Sequence, residues 1–121
     1  MTELMSKTGK TSFYQRLLFW TAASFALVMA LVPHPPHVPG EPSDKVQHII
    51  AFATLATLAA WAYGRTSLIR IAGGLSLFGA LIEVLQAIPM LHRDSDVLDW
   101  IADTLACAFV LAVIHWRRSQ S

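Results

Sequence analysis

The sequence predicts an all-α fold: an integral membrane bundle of four transmembrane helices with both termini in the cytoplasm. Hydrophobic residues make up 55% of the 121 residues and charged residues only 14%, whereas soluble domains carry about 25% charged residues. The hydrophobic residues fall into four runs, each close to the roughly 20 residues that cross a bilayer. The basic residues concentrate at one set of run ends, which indicates the orientation.

Local signals place the helix ends. The proline-rich segment 33–42 cannot continue a helix because proline lacks a backbone N–H donor. Ser43 is a suitable N-cap for the second helix, Gly64 interrupts the pattern after it, and Pro89 stops the third helix. The predicted organisation is a disordered or interfacial polar lead-in, four helices within a membrane domain at residues 13–116, and a basic tail: residues 1–12, about 14–32, 43–63, 68–88 and 95–116, and 117–121.

The first apolar run has an alternative interpretation as a signal peptide. Lys7, Lys10 and Arg16 precede a short apolar core, as in a secretory leader. No clear Ala-x-Ala cleavage site follows the run, so we favour a membrane-spanning helix.

Basic residues next to the helix ends are distributed seven to two between the two sides. By the positive-inside rule, the side with seven is cytoplasmic. This predicts a multi-pass protein of the cell inner (cytoplasmic) membrane, with its proline-rich loop outside. The two groups are Lys7, Lys10, Arg16, Arg65, Arg70, Arg117 and Arg118, and, on the outer side, Lys45 and Arg93.

Several function classes are excluded by composition. The net charge is only +1, and no basic face with interleaved aromatic residues is present, so we expect no nucleic-acid partner. A single cysteine, Cys107, allows neither an intrachain disulfide nor a cysteine metal cluster. We therefore expect membrane lipids as partners, with a lipid-linked envelope precursor as candidate ligand, and no cofactor or resident metal.

Ionisable residues inside the apolar runs are the candidate functional groups, because such groups are costly at membrane depth unless paired or hydrated. Residues three or four apart share a helix face, so each of three helices presents a polar face at its predicted outer end. The fourth helix carries a stripe of Asp96, Asp99 and Asp103. Turned inward, the three faces form a polar pocket, for which the candidate binding residues are Asp44, Lys45, His48, Glu83, Gln86, Arg93, Asp99 and Asp103.

Three functional interpretations remain open. The pocket binds a polar envelope or lipid-linked ligand, or Glu83 and His48 act as acid and base in an enzyme, or the polar residues only hold the helices together. A divalent metal among the carboxylates and His48 is a weaker alternative, because the spacing matches no strong metal motif.

The same residues resemble the VanZ-like family of small bacterial membrane proteins. The resemblance covers about residues 43–112 and rests on three blocks in order: Asp44-Lys45-x-x-His48-x-x-Ala51-Phe52, Glu83-x-x-Gln86 with Pro89, and Arg93 followed by Asp99 and Asp103. Two positions depart from the family pattern, since Asp103 stands where Asn is common and Ala106 where Gly is frequent. The resemblance implies a multi-helix inner-membrane protein, a link to tolerance of the glycopeptide teicoplanin, and motif positions at the candidate binding residues.

Overall fold

The computed structural model describes residues 2–32, 44–88 and 97–120, with side chains for 12–32, 46–88 and 97–120. These residues form four helices, which confirms the all-α prediction. Ser43, the predicted N-cap of the second helix, lies outside the described residues. The helices are α1 (Thr2–Leu31), α2 (Asp44–Ala62), α3 (Leu68–Gln86) and α4 (Val97–Ser119).

The four helices run alternately up and down. α2 packs most extensively against α4, α3 also packs against α4, and α1 lies against α2 and α3. The N-terminal halves of α2 and α4 and the C-terminal half of α3 therefore meet at one end of the bundle. Ser67 caps the opposite, N-terminal end of α3, where its hydroxyl accepts a hydrogen bond from the backbone N–H of Arg70.

Three of the helices are long and apolar enough to cross a membrane: Ser12–Leu31, Leu68–Gln86 and Val97–Ser119. Their outward side chains include Leu77 and Phe109, which are 73% and 71% exposed. Such apolar surface is normal against lipid and unusual against water. The apolar part of α2, Val46–Ala62, is shorter. At 1.5 Å per residue it spans roughly 25 Å, less than the roughly 30 Å of a bilayer core.

Two helix ends differ from the sequence prediction. α1 begins at Thr2, so the segment predicted as a disordered or interfacial lead-in is helical. It contains no proline that would stop the helix from extending toward the N-terminus. α4 continues to Ser119 and carries Arg117 and Arg118 in its last turn, where basic side chains interact favourably with the negative end of the helix dipole.

Candidate polar site

Five polar or ionisable side chains are buried in the part of the chain whose side chains are described: His48, Glu83, Gln86, Asp99 and Asp103. All five belong to the set predicted from the sequence. α2, α3 and α4 each contribute, so these side chains meet only once the helices pack. Asp103 is 0% exposed and Gln86 1%, which places them as deep as the apolar core.

His48 and Asp103 form the closest contact of the site. The Nδ1 atom of His48 lies 3.2 Å from each carboxylate oxygen of Asp103 and makes its hydrogen bond with Oδ2. The helical register explains the contact, since α2 and α4 run parallel and the two residues lie about one and about two turns inside their helices. An imidazole held through Nδ1 is fixed in orientation, and its Nε2 is directed away from the carboxylate.

Glu83 completes a three-helix group. His48, Glu83 and Asp103 each have one nitrogen or oxygen atom that could bind a metal, and these three atoms lie within 4.8 Å of one another. Asp99 lies one turn before Asp103 on the same face of α4 and interacts electrostatically with His48. We refer to His48, Glu83, Asp99 and Asp103 as the polar cluster.

Gln86 ties the end of α3 to α1. Its amide nitrogen donates a hydrogen bond of 2.9 Å to the backbone carbonyl of Ala30. A buried hydrogen bond between helices is the packing role that polar residues often have in membrane bundles. Gln86 thus serves helix packing with its nitrogen, one turn from Glu83.

α2, α3 and α4 pack together at Gly79 beside the cluster. A Cβ atom at this position would lie 3.4 Å from Oδ2 of Asp103 and from Trp100, and 3.5 Å from Phe52, which are ordinary van der Waals distances. A larger side chain would have to displace these neighbours. By contrast, nothing lies within 4 Å of a Cβ at Gly73 or Gly74.

Trp100 also locks α3 against α4. Its indole N–H donates a hydrogen bond of 2.9 Å to the carbonyl of Ser76, and the hydroxyls of Ser76 and Thr104 are 3.0 Å apart. Trp100 is therefore partly buried and bonded between the two helices.

An apolar groove runs between α1 and α2 and ends at the polar cluster. It has a volume of about 370 Å³, and its walls include Phe25 and Met29 of α1, Phe52 of α2 and Ile82 of α3. Phe25 and Met29 are 66% and 52% exposed, so the groove opens on the outer surface of the bundle. His48 lines it and also belongs to the polar cluster. The carboxylates do not line this groove, which therefore differs from a pocket ringed by acids.

Comparison with known protein families, with curated proteins and with solved structures finds no match. The resemblance to the VanZ-like family accordingly stays a prediction that rests on its motif positions.

Three predicted binding residues lie outside what the structure describes. The side chains of Asp44 and Lys45 and the whole of Arg93 are in this group, together with Asp96 of the predicted stripe. The groove, Gly79 beside Asp103, and the bond from Trp100 to α3 were not predicted as parts of the site. The alternation of small and large residues along α1 and α2 was the one signal for the groove, and such alternation is common in ordinary cores.

Proposed function

We propose that the chain is a four-span protein of the bacterial inner membrane that binds a lipid-linked envelope ligand. The polar part of the ligand contacts the polar cluster, and its hydrocarbon chain lies in the groove between α1 and α2. The observation that carries the proposal is the double position of His48, which belongs to the polar cluster and lines the groove. A ligand that satisfies both surroundings has a polar group joined to an apolar chain.

The size and lining of the groove support this ligand class. Ligand sites are concave, mostly apolar, and of roughly 300–1,000 Å³, with a few polar groups that fix orientation. The groove has about 370 Å³, and most of its lining is aliphatic or aromatic. The hydroxyl of Thr54, which also lines it, bonds the carbonyl of Ile50 in its own helix, so it offers little to a polar ligand.

Charge supports the outward orientation of the cluster. All five arginines with described side chains are exposed. Arg118 of α4 bonds the carbonyl of Ala60 in α2. Arg16 of α1 lies over the ring of Tyr63, which follows α2. Both contacts lie on the side of the bundle opposite to the cluster. The positive-inside rule then puts the cluster near the outer face, where envelope precursors are used. If the resemblance to the VanZ-like family extends to function, loss of the protein changes tolerance to teicoplanin.

The proposal is tested by filling the groove. The protein is purified in detergent as wild type, as Ala26→Leu with Ala51→Leu, and as Ala108→Leu, and bound lipids are identified by native mass spectrometry. Ala26 and Ala51 line the groove, whereas Ala108 is exposed on α4. We expect a lipid with a polar head group on wild type and Ala108→Leu, and its loss from the double variant. Equal lipid retention in all three proteins contradicts the proposal.

A membrane-embedded enzyme is the second candidate function, and the contact between His48 and Asp103 favours it. A carboxylate that holds one nitrogen of an imidazole orients the other nitrogen for proton transfer. In this case His48 acts as the base and Glu83 as the acid on a lipid-linked substrate. Glu83→Gln distinguishes the candidates: turnover of envelope lipid by wild type that is lost in the variant with unchanged lipid binding indicates catalysis, whereas lipid binding by wild type without any turnover indicates binding alone.

A further inference from the structure

A group of three metal-ligand side chains converges in the buried part of the polar cluster. His48 of α2, Glu83 of α3 and Asp103 of α4 each place one nitrogen or oxygen ligand atom within 4.8 Å of the other two. No two of them are close in sequence, so the group cannot be recognised from a motif with fixed residue spacing. The ligands come from three helices, and an ion bound among them would fix all three helices in one arrangement.

The carboxylate of Asp103 provides an independent observation. Asp103 is 0% exposed, and its Oδ1 has no hydrogen-bond donor among the described residues. This oxygen faces the cluster, 3.2 Å from Nδ1 of His48, but that nitrogen makes its hydrogen bond with Oδ2. A buried carboxylate oxygen without a donor is costly, and a cation satisfies it.

A second buried oxygen belongs to Gln86, which lies one turn from Glu83 on α3. The amide of Gln86 donates through its nitrogen to Ala30, whereas its oxygen Oε1 has no hydrogen-bond partner among the described residues. An amide oxygen, like a carboxylate oxygen, is a hydrogen-bond acceptor. The buried end of the bundle thus holds more acceptor oxygens than the described donors satisfy.

The charge of the cluster favours a divalent cation. Glu83, Asp99 and Asp103 together carry up to three negative charges, and the described arginines are all exposed and belong to the opposite end. Buried charge is expensive in a membrane interior. One divalent cation with a neutral His48 neutralises Glu83 and Asp103, whereas a protonated His48 neutralises only one of them.

We propose that His48, Glu83 and Asp103 bind one divalent transition-metal ion. An imidazole nitrogen with two carboxylate oxygens suits Zn²⁺ or Mn²⁺, while Mg²⁺ and Ca²⁺ prefer oxygen ligands alone. Ligand atoms about 2.0–2.2 Å from Zn²⁺ lie roughly 3.4 Å apart in a tetrahedral site. Binding therefore draws the three side chains somewhat closer than 4.8 Å and replaces the proton that His48 shares with Asp103.

The test uses Zn²⁺ alone as the probe. The full chain, purified with a tag that contains no histidine and stripped by a chelator, is titrated with Zn²⁺ as wild type, His48→Gln, Asp103→Asn and His115→Gln. His115 is exposed on α4 and serves as the matched histidine control. We expect one Zn²⁺ per chain in wild type and His115→Gln, and affinity at least tenfold weaker in the other two. Equal affinity in all four proteins, or no saturable binding by wild type, overturns the proposal.

X-ray absorption on zinc-loaded wild type gives an outcome that does not depend on whether a variant folds. We expect nitrogen and oxygen neighbours only, with the scattering signature of a single imidazole. A sulfur neighbour, such as the thiol of Cys107, overturns the assignment. A signal from two imidazoles overturns it as well. Lipid retention is measured on the same samples, so that a failed metal site with retained lipid leaves the proposed function intact.

Discussion

At one end of the bundle the described ionisable side chains are buried between helices, whereas at the other end they belong to exposed residues. The polar cluster puts a histidine and three acids within the packed core. The basic end, which we define as Arg16, Arg65, Arg70, Arg117 and Arg118, consists of exposed residues.

The contacts at the basic end are those of surface anchors. The guanidinium of Arg16 lies 4.8 Å from the ring centre of Tyr63, and the hydroxyl of Tyr63 accepts a hydrogen bond of 2.7 Å from Trp20. Aromatic and basic side chains of this kind are typical where a helix meets the membrane surface. Exposed charge sets orientation at little energetic cost, while buried charge persists only with partners or ligands. This difference is the reason for our proposal that the cluster is the functional end.

The largest expected effect concerns the sides of the membrane on which the two ends lie. In a Cys107→Ser background, Val97→Cys and Arg65→Cys place a thiol at exposed positions of the cluster end and of the basic end, respectively. A membrane-impermeant maleimide applied to intact cells should label position 97 and leave position 65 unlabelled until the cells are opened. The reverse pattern shows that the cluster faces the cytoplasm and removes the envelope ligand from the proposal.

The next effect compares one buried charge with one exposed charge. Asp103→Ala removes the carboxylate from its buried contact with His48, and removing one partner of such a pair costs about 3–5 kcal/mol. Arg65→Gln, on the surface, should change the free energy of unfolding by less than about 0.5 kcal/mol. Denaturant unfolding in mixed micelles measures both. Equal effects of the two substitutions contradict a buried pair.

A smaller effect is expected from glycines of α3. Gly79→Leu forces a side chain into the space occupied by Asp103, Trp100 and Phe52, and overpacking of this kind costs about 1–3 kcal/mol. Gly74→Leu is the matched control, since nothing lies within 4 Å of a Cβ at Gly74. Thermal unfolding in detergent should show a lower midpoint for Gly79→Leu alone. A midpoint that is the same for both variants contradicts the close approach of the three helices.

The smallest effect concerns the hydrogen bond between α3 and α1. Gln86→Leu removes the bond to the carbonyl of Ala30, and such bonds contribute about 0.6 kcal/mol on average in membrane bundles. The backbone carbonyl cannot be mutated in a double-mutant cycle, so the unfolding free energy of Gln86→Leu is compared with that of Gln15→Leu. Gln15 lies on α1 and is partly exposed. A loss confined to Gln86→Leu supports the helix-tying role, and equal losses in the two variants contradict it.

The helices and the buried polar residues follow closely from the sequence. Apolar runs and proline breaks place α2 and α3 within a few residues of their observed bounds, and polar residues inside apolar runs have to face protein. For that reason His48, Glu83, Gln86, Asp99 and Asp103 could be named in advance.

The pairing between helices does not follow from the sequence. His48 and Asp103 are 55 positions apart in the sequence, and their contact depends on how far each helix is shifted along its neighbour. The sliding is set by contacts such as Gly79 with Trp100 and Phe52, which no helical periodicity encodes. The groove likewise arises from the gap between two packed surfaces rather than from a residue pattern.

Glu83→Gln provides the most direct test of the central claim that the polar cluster serves ligand binding rather than packing. Glutamine keeps the shape of the side chain and removes its charge. Native mass spectrometry and thermal unfolding are run on the same preparation of wild type and Glu83→Gln. If the polar cluster serves ligand binding, Glu83→Gln stays folded near the wild-type midpoint and has lost its polar-headed lipid. A variant that retains the lipid at the wild-type level and is merely less stable contradicts a binding role of the cluster.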